Sequence, residues 1–376
     1  MQTLFSLLAV PVLALELGAR AVQEPVRAIS QAFGPRVTVH VSRPTFIWQI
    51  WSRTSTVTHV EMLLDSQPVG AKYDEEQRSV IYTPDQALSS GPHQVECRAI
   101  FDGTATFVKR WETTVAPDAT ATLPAPTVSQ KRMLSAVNAK RHDLGLPDLV
   151  IDDRLDAAAS AHVAYMCKNN EAGHDESPNN PGFVGQTGGI RCESFGWCTG
   201  SWEGVSVGEP SMDLAIANLY DAPYHRIPFM EAGTAAFGAG FNDARTTILF
   251  GMARTQSVTV SPADGQKEIP TIWVNHEEPS PLRGHTTKNF CGYPLVLAGF
   301  GPTIGILQVS SASLQSADGK SVEIWLLTAA DDQFLKNAAI IIPLQPLQPG
   351  TTYTASAQII YDDLNTTKTW KFTTKS

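Results

Sequence analysis

The chain is poor in cysteine and lacks any cluster of basic residues. Its five cysteines, Cys97, Cys167, Cys192, Cys198 and Cys291, contain no C-x-x-C pair, which excludes a zinc ribbon and a thioredoxin-type redox motif. No run of Lys and Arg is set against the formal net charge of -9, so nucleic acid and anionic membrane are poor candidate partners. No apolar stretch reaches transmembrane length. The glycine clusters FGAGF and GFGPTIG do not open a helix after a strand, which removes a dinucleotide site. What is present, 43% apolar and 17% charged residues, is ordinary globular composition, and 376 residues exceed what one core usually serves, so two or three domains are expected.

Residues 1–21, MQTLFSLLAVPVLALELGARA, hold a short, broken apolar run ending in Ala19-Arg20-Ala21, an A-x-A-type cleavage site, although a basic n-region is missing. The expectation is a signal peptide cleaved after Ala21 and a protein secreted to the extracellular space or the cell envelope. Under oxidising conditions Cys192 and Cys198, six apart in a glycine-containing segment, are the disulfide candidates. Cys97 and Cys291 read as small buried apolar residues.

From about Arg36 to Val115 apolar and polar residues alternate, with turn clusters DSQP, SSGP and FDG, as in an antiparallel β-sandwich. This places an N-terminal immunoglobulin-like sandwich at 22–117. The segment APDATATLPAPT reads as a linker, taken as 118–128. Two amphipathic helices follow. One carries Met133, Leu134, Val137 and Arg141 on one face and stops at Gly145; the other carries Leu155, Ala158, Ala159, His162, Val163 and Met166 behind an acidic first turn. MDLAIANLYDAPYH reads as helix up to Pro223, and AAFGAGF and TTILFGMA as paired strands, which makes 129–256 an α+β domain. Short β-runs return over 267–376.

The two β-regions echo each other. Pro84, Leu88, Gly91 and Trp111 superpose at one constant offset on Pro343, Leu347, Gly350 and Trp370. Pro ends a strand, Leu plugs the corner, Gly makes the turn and Trp anchors the last strand. Both flanks resemble bacterial immunoglobulin-like sandwiches, which seldom catalyse.

Gly204-Val-Ser-Val-Gly208 satisfies the G-x-S-x-G pattern of a nucleophile elbow, but such an elbow needs a hydrophobic strand running into the serine and a helix leaving it. RCESFGWCTGSWEG, ahead of Ser206, is not such a strand. The glycines are expected to serve a turn and a short strand.

Set in order, NAKRHDLGLPDLVIDDRLDAAASAHVAYMCKNNEAGHD, WEGVSVG, DLAIANLYDAPYHRIPFM and AAFGAGF resemble the CAP superfamily (cysteine-rich secretory, antigen 5 and pathogenesis-related proteins) in its bacterial form, over about Ser129 to Arg254. Asn138, Arg141, Gly145-Leu146 and Leu149 open the pattern, and Leu155 to Met166 give its second helix. The resemblance implies a central α-β-α sandwich between two all-β immunoglobulin-like domains. It also implies a cavity lined by two histidines and two acids that in some members binds zinc. Carried over by position, His174, Glu203 and His225 match three of the four. Asp213 is nearest in register to the fourth, with Glu209 as the fallback. The chain departs from the family where Gly204 replaces an Asn, where Asp221-Ala222 and Tyr224 alter the step before His225, and where Asp213 is one bond shorter than its counterpart. That shortening matters against zinc–oxygen distances of about 2.0–2.2 Å.

Two imidazoles with one or two carboxylates make a sensible zinc or copper set. The same groups also make a buried hydrogen-bonded network that needs no metal. His162 is expected to be a packed or half-exposed residue of its helix face rather than a ligand, while His93, His276 and His285 fall in β-domains without acidic partners at useful spacing. The resemblance implies an exported, non-enzymatic binding or adhesion protein, with a lipid or sterol-like ligand, a cell-envelope component or a protein as partner. The alternative is a metal-dependent, peptidase-like hydrolase using His174, Glu203 and His225, with an acid such as Glu203 as general base on a bound water.

Overall fold

The computed structural model describes residues 26–376 except 253–254, 285, 287, 302–304 and 363; the expected signal peptide with its cleavage at Ala21, and Arg254 and His285, lie outside the described residues. Three domains follow one another.

The N-terminal domain is a two-sheet sandwich. One sheet runs in the order Ala28–Gly34, Phe46–Ser52, Ser79–Tyr82, Lys72–Asp74. The other runs Thr38–Val41, Ala105–Thr120, Gly91–Phe101, Val57–Leu64, Gln67–Val69. Strict alternation along Gly91–Phe101 turns Val95, Cys97, Ala99 and Phe101 inward against Phe46, Trp48, Met62 and Trp111. The strand Ala105–Thr120 continues beyond the expected domain end at 117, because Val39 and Val41 of the parallel edge strand pair with Val115 and Thr120. The expected linker of 118–128 therefore shortens at both ends, since the first helix begins at Val128.

The central domain has three layers. Helix α1, Val128–Asp143, starts in a capping box in which Thr127 and Gln130 serve each other, with Lys140, Arg141 and His142 in its last turn. Helix α2, Asp153–Asn169, is capped by Asp152 and ends on Asn170 in the left-handed region. Three shorter helices follow: α3, Gly188–Ser194, α4, Met212–Asp221, and α5, Pro223–Arg226. The sheet order is Val150–Ile151, Ala236–Asn242, Arg245–Gly251, Ser201–Val207. Along Ala236–Asn242 the two faces differ. Phe237 and Ala239 face Met133, Val137 and Ile216 of α1 and α4 in an apolar layer. Gly238 faces α2, and a Cβ there would lie 2.1 Å from the carbonyl carbon of Leu155. Each fully buried aliphatic side chain in these layers contributes about 1.5–3 kcal/mol.

The Asn138 and Arg141 positions serve the backbone. The Asn138 amide group exchanges hydrogen bonds with both Leu149 N and Leu149 O, and the buried Arg141 guanidinium donates to the carbonyls of Pro147, Phe229 and Glu231.

The C-terminal sandwich begins at Ser257 rather than at 267. Ser257–Ser261 pairs antiparallel with Leu295–Phe300, so the residues left between the expected domains form its first strand. Apart from Gln67–Val69, which has no counterpart strand, it repeats the N-terminal domain strand by strand. Its sheets run Ser257–Ser261, Leu295–Phe300, Ala338–Pro343, Ile324–Leu327 and Gln266–Ile269, Leu364–Thr374, Thr352–Tyr361, Gln308–Ser316. Trp111 opposite Val95 and Trp370 opposite Ala355 occupy the same place in the two closing hairpins. One connection differs. Residues 42–45 of the first sandwich correspond to residues 270–294 of the second, which carry a two-stranded ribbon, Trp273–Val274 with Phe290–Cys291. Among the described residues no helix is long and apolar enough to cross a membrane.

Candidate functional site

The site grows from two histidines delivered by different segments. His174 lies in the loop after α2, and its carbonyl accepts from Arg191 Nη2 of α3 at 2.8 Å. Glu203 sits on the strand Ser201–Val207, opposite Leu249. Its Oε2 is 2.9 Å from His174 Nδ1, and its Oε1 accepts from Arg191 Nη2 at 2.6 Å. The carboxylate fits because Gly188 opens α3, where a Cβ would lie 2.9 Å from it. Burial pushes the Glu203 pKa up, but the hydrogen bond from His174 and the charge of Arg191 outweigh it, and the net shift is downward. Glu203 is a carboxylate at neutral pH.

His225 stands on α5, a single turn begun by Pro223. The N-cap residue Ala222 supplies no side-chain cap. Glu277, from the 270–294 segment of the C-terminal sandwich, supplies one instead: its carboxylate accepts from Tyr224 N and His225 N at 3.0 Å. The same Oε1 lies 2.8 Å from His225 Nδ1, and the Glu277 side chain is fully buried. The His174 and His225 ring centroids lie 6.2 Å apart and the ring planes are 15° apart. Each histidine has a carboxylate at Nδ1, which places the proton on Nδ1 and leaves Nε2 as the free lone pair.

Both rings open onto a cleft of about 460 Å³ between the central and C-terminal domains, lined also by Val205, Ser206, Val207, Glu209, Leu219, His276 and Glu278. Ser206 is paired within the strand, one residue before its end and opposite Thr246, not at a strand-to-helix turn, so the elbow pattern marks a strand ended by Gly208.

Four sequence-based expectations are corrected. Asp213, expected as the fourth acid, is bound to Arg132 on the surface at the start of α4 and does not line the cleft; the helix presents it away from the histidines. Glu209, the fallback, does line it and accepts from Asn218 Nδ2 at 2.7 Å. Cys192 and Cys198 are not bridged, and all five cysteines are free thiols. Cys192 is fixed in the α2–α3 core with its Sγ 3.2 Å from Ser201 Oγ, and burial raises its pKa to about 12. His93 does have an acidic partner, Asp65 at 2.6 Å, reached across strands. His276 is 3.9 Å from Asp221 and bridges the carbonyls of Val274 and Asn218. His162 is buried, with Glu176 at Nδ1 and the Gly173 carbonyl at Nε2, and is occupied at both nitrogens.

Glu277 is the residue that sequence reasoning missed. Its signal was the interruption of the internal echo: the second sandwich carries residues 270–294 where the first has only 42–45.

For a divalent metal the donor set is two imidazole Nε2 atoms backed by carboxylates. No cluster of three or more His, Cys, Asp or Glu able to hold a metal ion occurs among the described residues. Two histidines are fewer than the three protein ligands of an open zinc site and do not make a closed four-ligand structural site, so any ion here would take its remaining ligands from water or a bound molecule.

Fold and cleft together define a multidomain protein whose central α-β-α domain presents two carboxylate-held histidines between immunoglobulin-like sandwiches. Residues 134–250 match the sequence profile of the cysteine-rich secretory protein family, CAP, and the chain carries a CAP domain. Among solved structures the chain is similar to an extracellular protein containing an SCP domain from Bacillus anthracis str. Ames, at 16% identity over 60% of this chain and 68% of that one, with a TM-score of 0.29. It is similar to a cysteine-rich secretory protein from Staphylococcus aureus subsp. aureus Mu50, at 10% identity over 60% of this chain and 84% of that one, TM-score 0.25. It is also similar to an outer surface protein from Borrelia burgdorferi, at 21% identity over 33% of this chain and 92% of that one, TM-score 0.28. Comparison with the curated proteins finds no match.

Proposed function

We propose that the protein is an exported binding protein whose ligand site is the cleft between the CAP domain and the C-terminal sandwich, with His174 and His225 holding a divalent ion such as zinc at their Nε2 atoms. The observation that carries this reading is the pair of Nδ1 contacts, 2.9 Å to Glu203 and 2.8 Å to Glu277. Carboxylates at Nδ1 fix the ring orientation and raise the basicity of the opposite nitrogen, the usual support of a metal-binding histidine. A bound ion would supply a Lewis-acidic point of attachment, while this chain's residues orient the rings and wall the cleft. Acids and histidines dominate the polar lining, with few large apolar side chains beside them. Export rests on the leading apolar run and on relatives named as extracellular or outer surface proteins.

Native mass spectrometry of residues 22–376, purified without chelator and mixed with zinc, tests the reading. One zinc per chain, lost in His174→Ala and in His225→Ala, is expected. A spectrum with no adduct, or an adduct that survives both substitutions, would remove the metal from the cleft.

A further inference from the structure

The family match ends at residue 250, yet the segment bearing His225 is gripped from outside it, three residues in succession. Tyr224 Oη donates to Asp332 Oδ2 at 2.5 Å and its ring packs on Phe334 at 5.8 Å. Asp332 is held in turn by Arg283 at 3.0 Å. His225 is held by Glu277 at both its backbone N and its Nδ1. Arg226 is fully buried, donates to the Pro294 carbonyl at 2.9 Å, and stacks over Tyr293 at 4.6 Å. Glu277, Arg283, Tyr293 and Pro294 all belong to residues 270–294, the segment that the N-terminal sandwich lacks. His276 of the same segment reaches back to the Asn218 carbonyl at 3.1 Å. Among the described residues Glu277 has no Lys or Arg partner, so its buried carboxylate is satisfied by hydrogen bonds from the Tyr224 and His225 amides and the His225 ring.

We propose that the C-terminal sandwich is a positioning domain of the site: through residues 270–294 it sets the ring of His225 against His174, so that occupation of the histidine pair and docking of the C-terminal domain are thermodynamically linked. The proposal rests on the reading of that pair as the ligand site. Linkage is reciprocal: whatever docking contributes to ion affinity, the ion returns to docking. Glu277 thus acts through His225 and is a positioning residue.

The test uses the full chain and two readouts. In metal-free protein, nitrogen-detected spectra of the His225 ring report its tautomer, and hydrogen exchange reports the Tyr224 and His225 amides. Wild type is expected to hold one tautomer with the proton on Nδ1 and to protect both amides. Glu277→Ala is expected to mix tautomers and expose the amides, while Glu277→Gln, which keeps an acceptor oxygen, restores the tautomer at least in part. With zinc added, exchange over residues 273–279 is expected to slow, and Glu277→Ala is expected to weaken zinc binding about 10–100-fold, as for other partners of ligand histidines. If Glu277→Ala does not fold, Glu277→Met, which fills the space but leaves no acceptor at His225 Nδ1, carries the same readouts. An unchanged His225 tautomer and unchanged amide exchange in Glu277→Ala would overturn the proposal, as would zinc binding that leaves residues 273–279 unaffected. Failure of zinc to bind at all would defeat the metal reading alone, and the metal-free spectra would still decide this one.

Discussion

His225 Nδ1 lies 2.8 Å from Glu277 Oε1, joining a histidine of the CAP domain to a fully buried carboxylate of the sandwich that follows it. The opposite histidine, His174, has its carboxylate, Glu203, inside its own domain. The two halves of the cleft are therefore built differently, one by the domain's own sheet and one by a neighbour.

Arg191 is the centre of the His174 half. It pairs with Glu203 at 2.6 Å, stands 3.7 Å from Glu176, and donates to the carbonyls of Gly185, Gln186 and His174. Arg191→Met would leave two buried carboxylates without their cation, so a loss of about 3–5 kcal/mol in urea unfolding is expected. A loss below about 1 kcal/mol would mean that Glu176 and Glu203 are balanced by other groups.

Gly238→Ala would place a Cβ against the backbone of α2 at Leu155 and Asp156, not against a movable side chain. Separation of α2 from the sheet is expected, at a cost of about 3 kcal/mol or more. Thermal unfolding measures it, and an unshifted midpoint would show that the layers close differently.

Asp156 gives a pH dependence of known sign. Burial raises its pKa from 3.8 to about 6, against the lowering effect of the Ala239 N–H that it accepts at 2.7 Å. A carboxyl whose folded pKa is raised adds stability when protonated, at low pH. That contribution fades as pH rises through about 4 to about 6 and is absent above, a difference of about 3 kcal/mol. The stability of wild type minus that of Asp156→Asn is therefore expected to fall across this window. A difference that stays flat would show that Asp156 titrates normally.

Ser206→Ala is expected to leave zinc binding unchanged and stability within about 0.5 kcal/mol. A fluorophosphonate probe is expected to leave the wild-type chain unlabelled; stoichiometric labelling at Ser206 would restore the serine-hydrolase reading.

The layers of the fold were legible because they rest on local pattern: alternation along Gly91–Phe101, the capping of α1 and α2, and the Trp111 and Trp370 echo all write themselves in sequence. Strand ends were less legible. Thr120 is held in a strand by pairing with Val41, a contact no local signal announces. The same holds for the cleft. His174, Glu203 and His225 stand at positions that the family pattern marks, whereas Glu277 lies outside the matched residues and reaches His225 only through domain docking. Asp213 was chosen by register along a helix, and the structure turns that register toward Arg132. The cysteine spacing points to a bridge, but both thiols are free, and Cys192 packs in an apolar cluster with its Sγ on Ser201 Oγ.

The two carboxylate-held histidines are expected to act together on one ion. X-ray absorption at the zinc edge of the zinc-loaded full chain tests it most directly. Two imidazole nitrogens at about 2.0–2.1 Å are expected, with oxygen from water or ligand completing the shell, and only one imidazole after His225→Ala. A shell of oxygen alone, a shell with sulfur, or a shell unchanged by His225→Ala would contradict it.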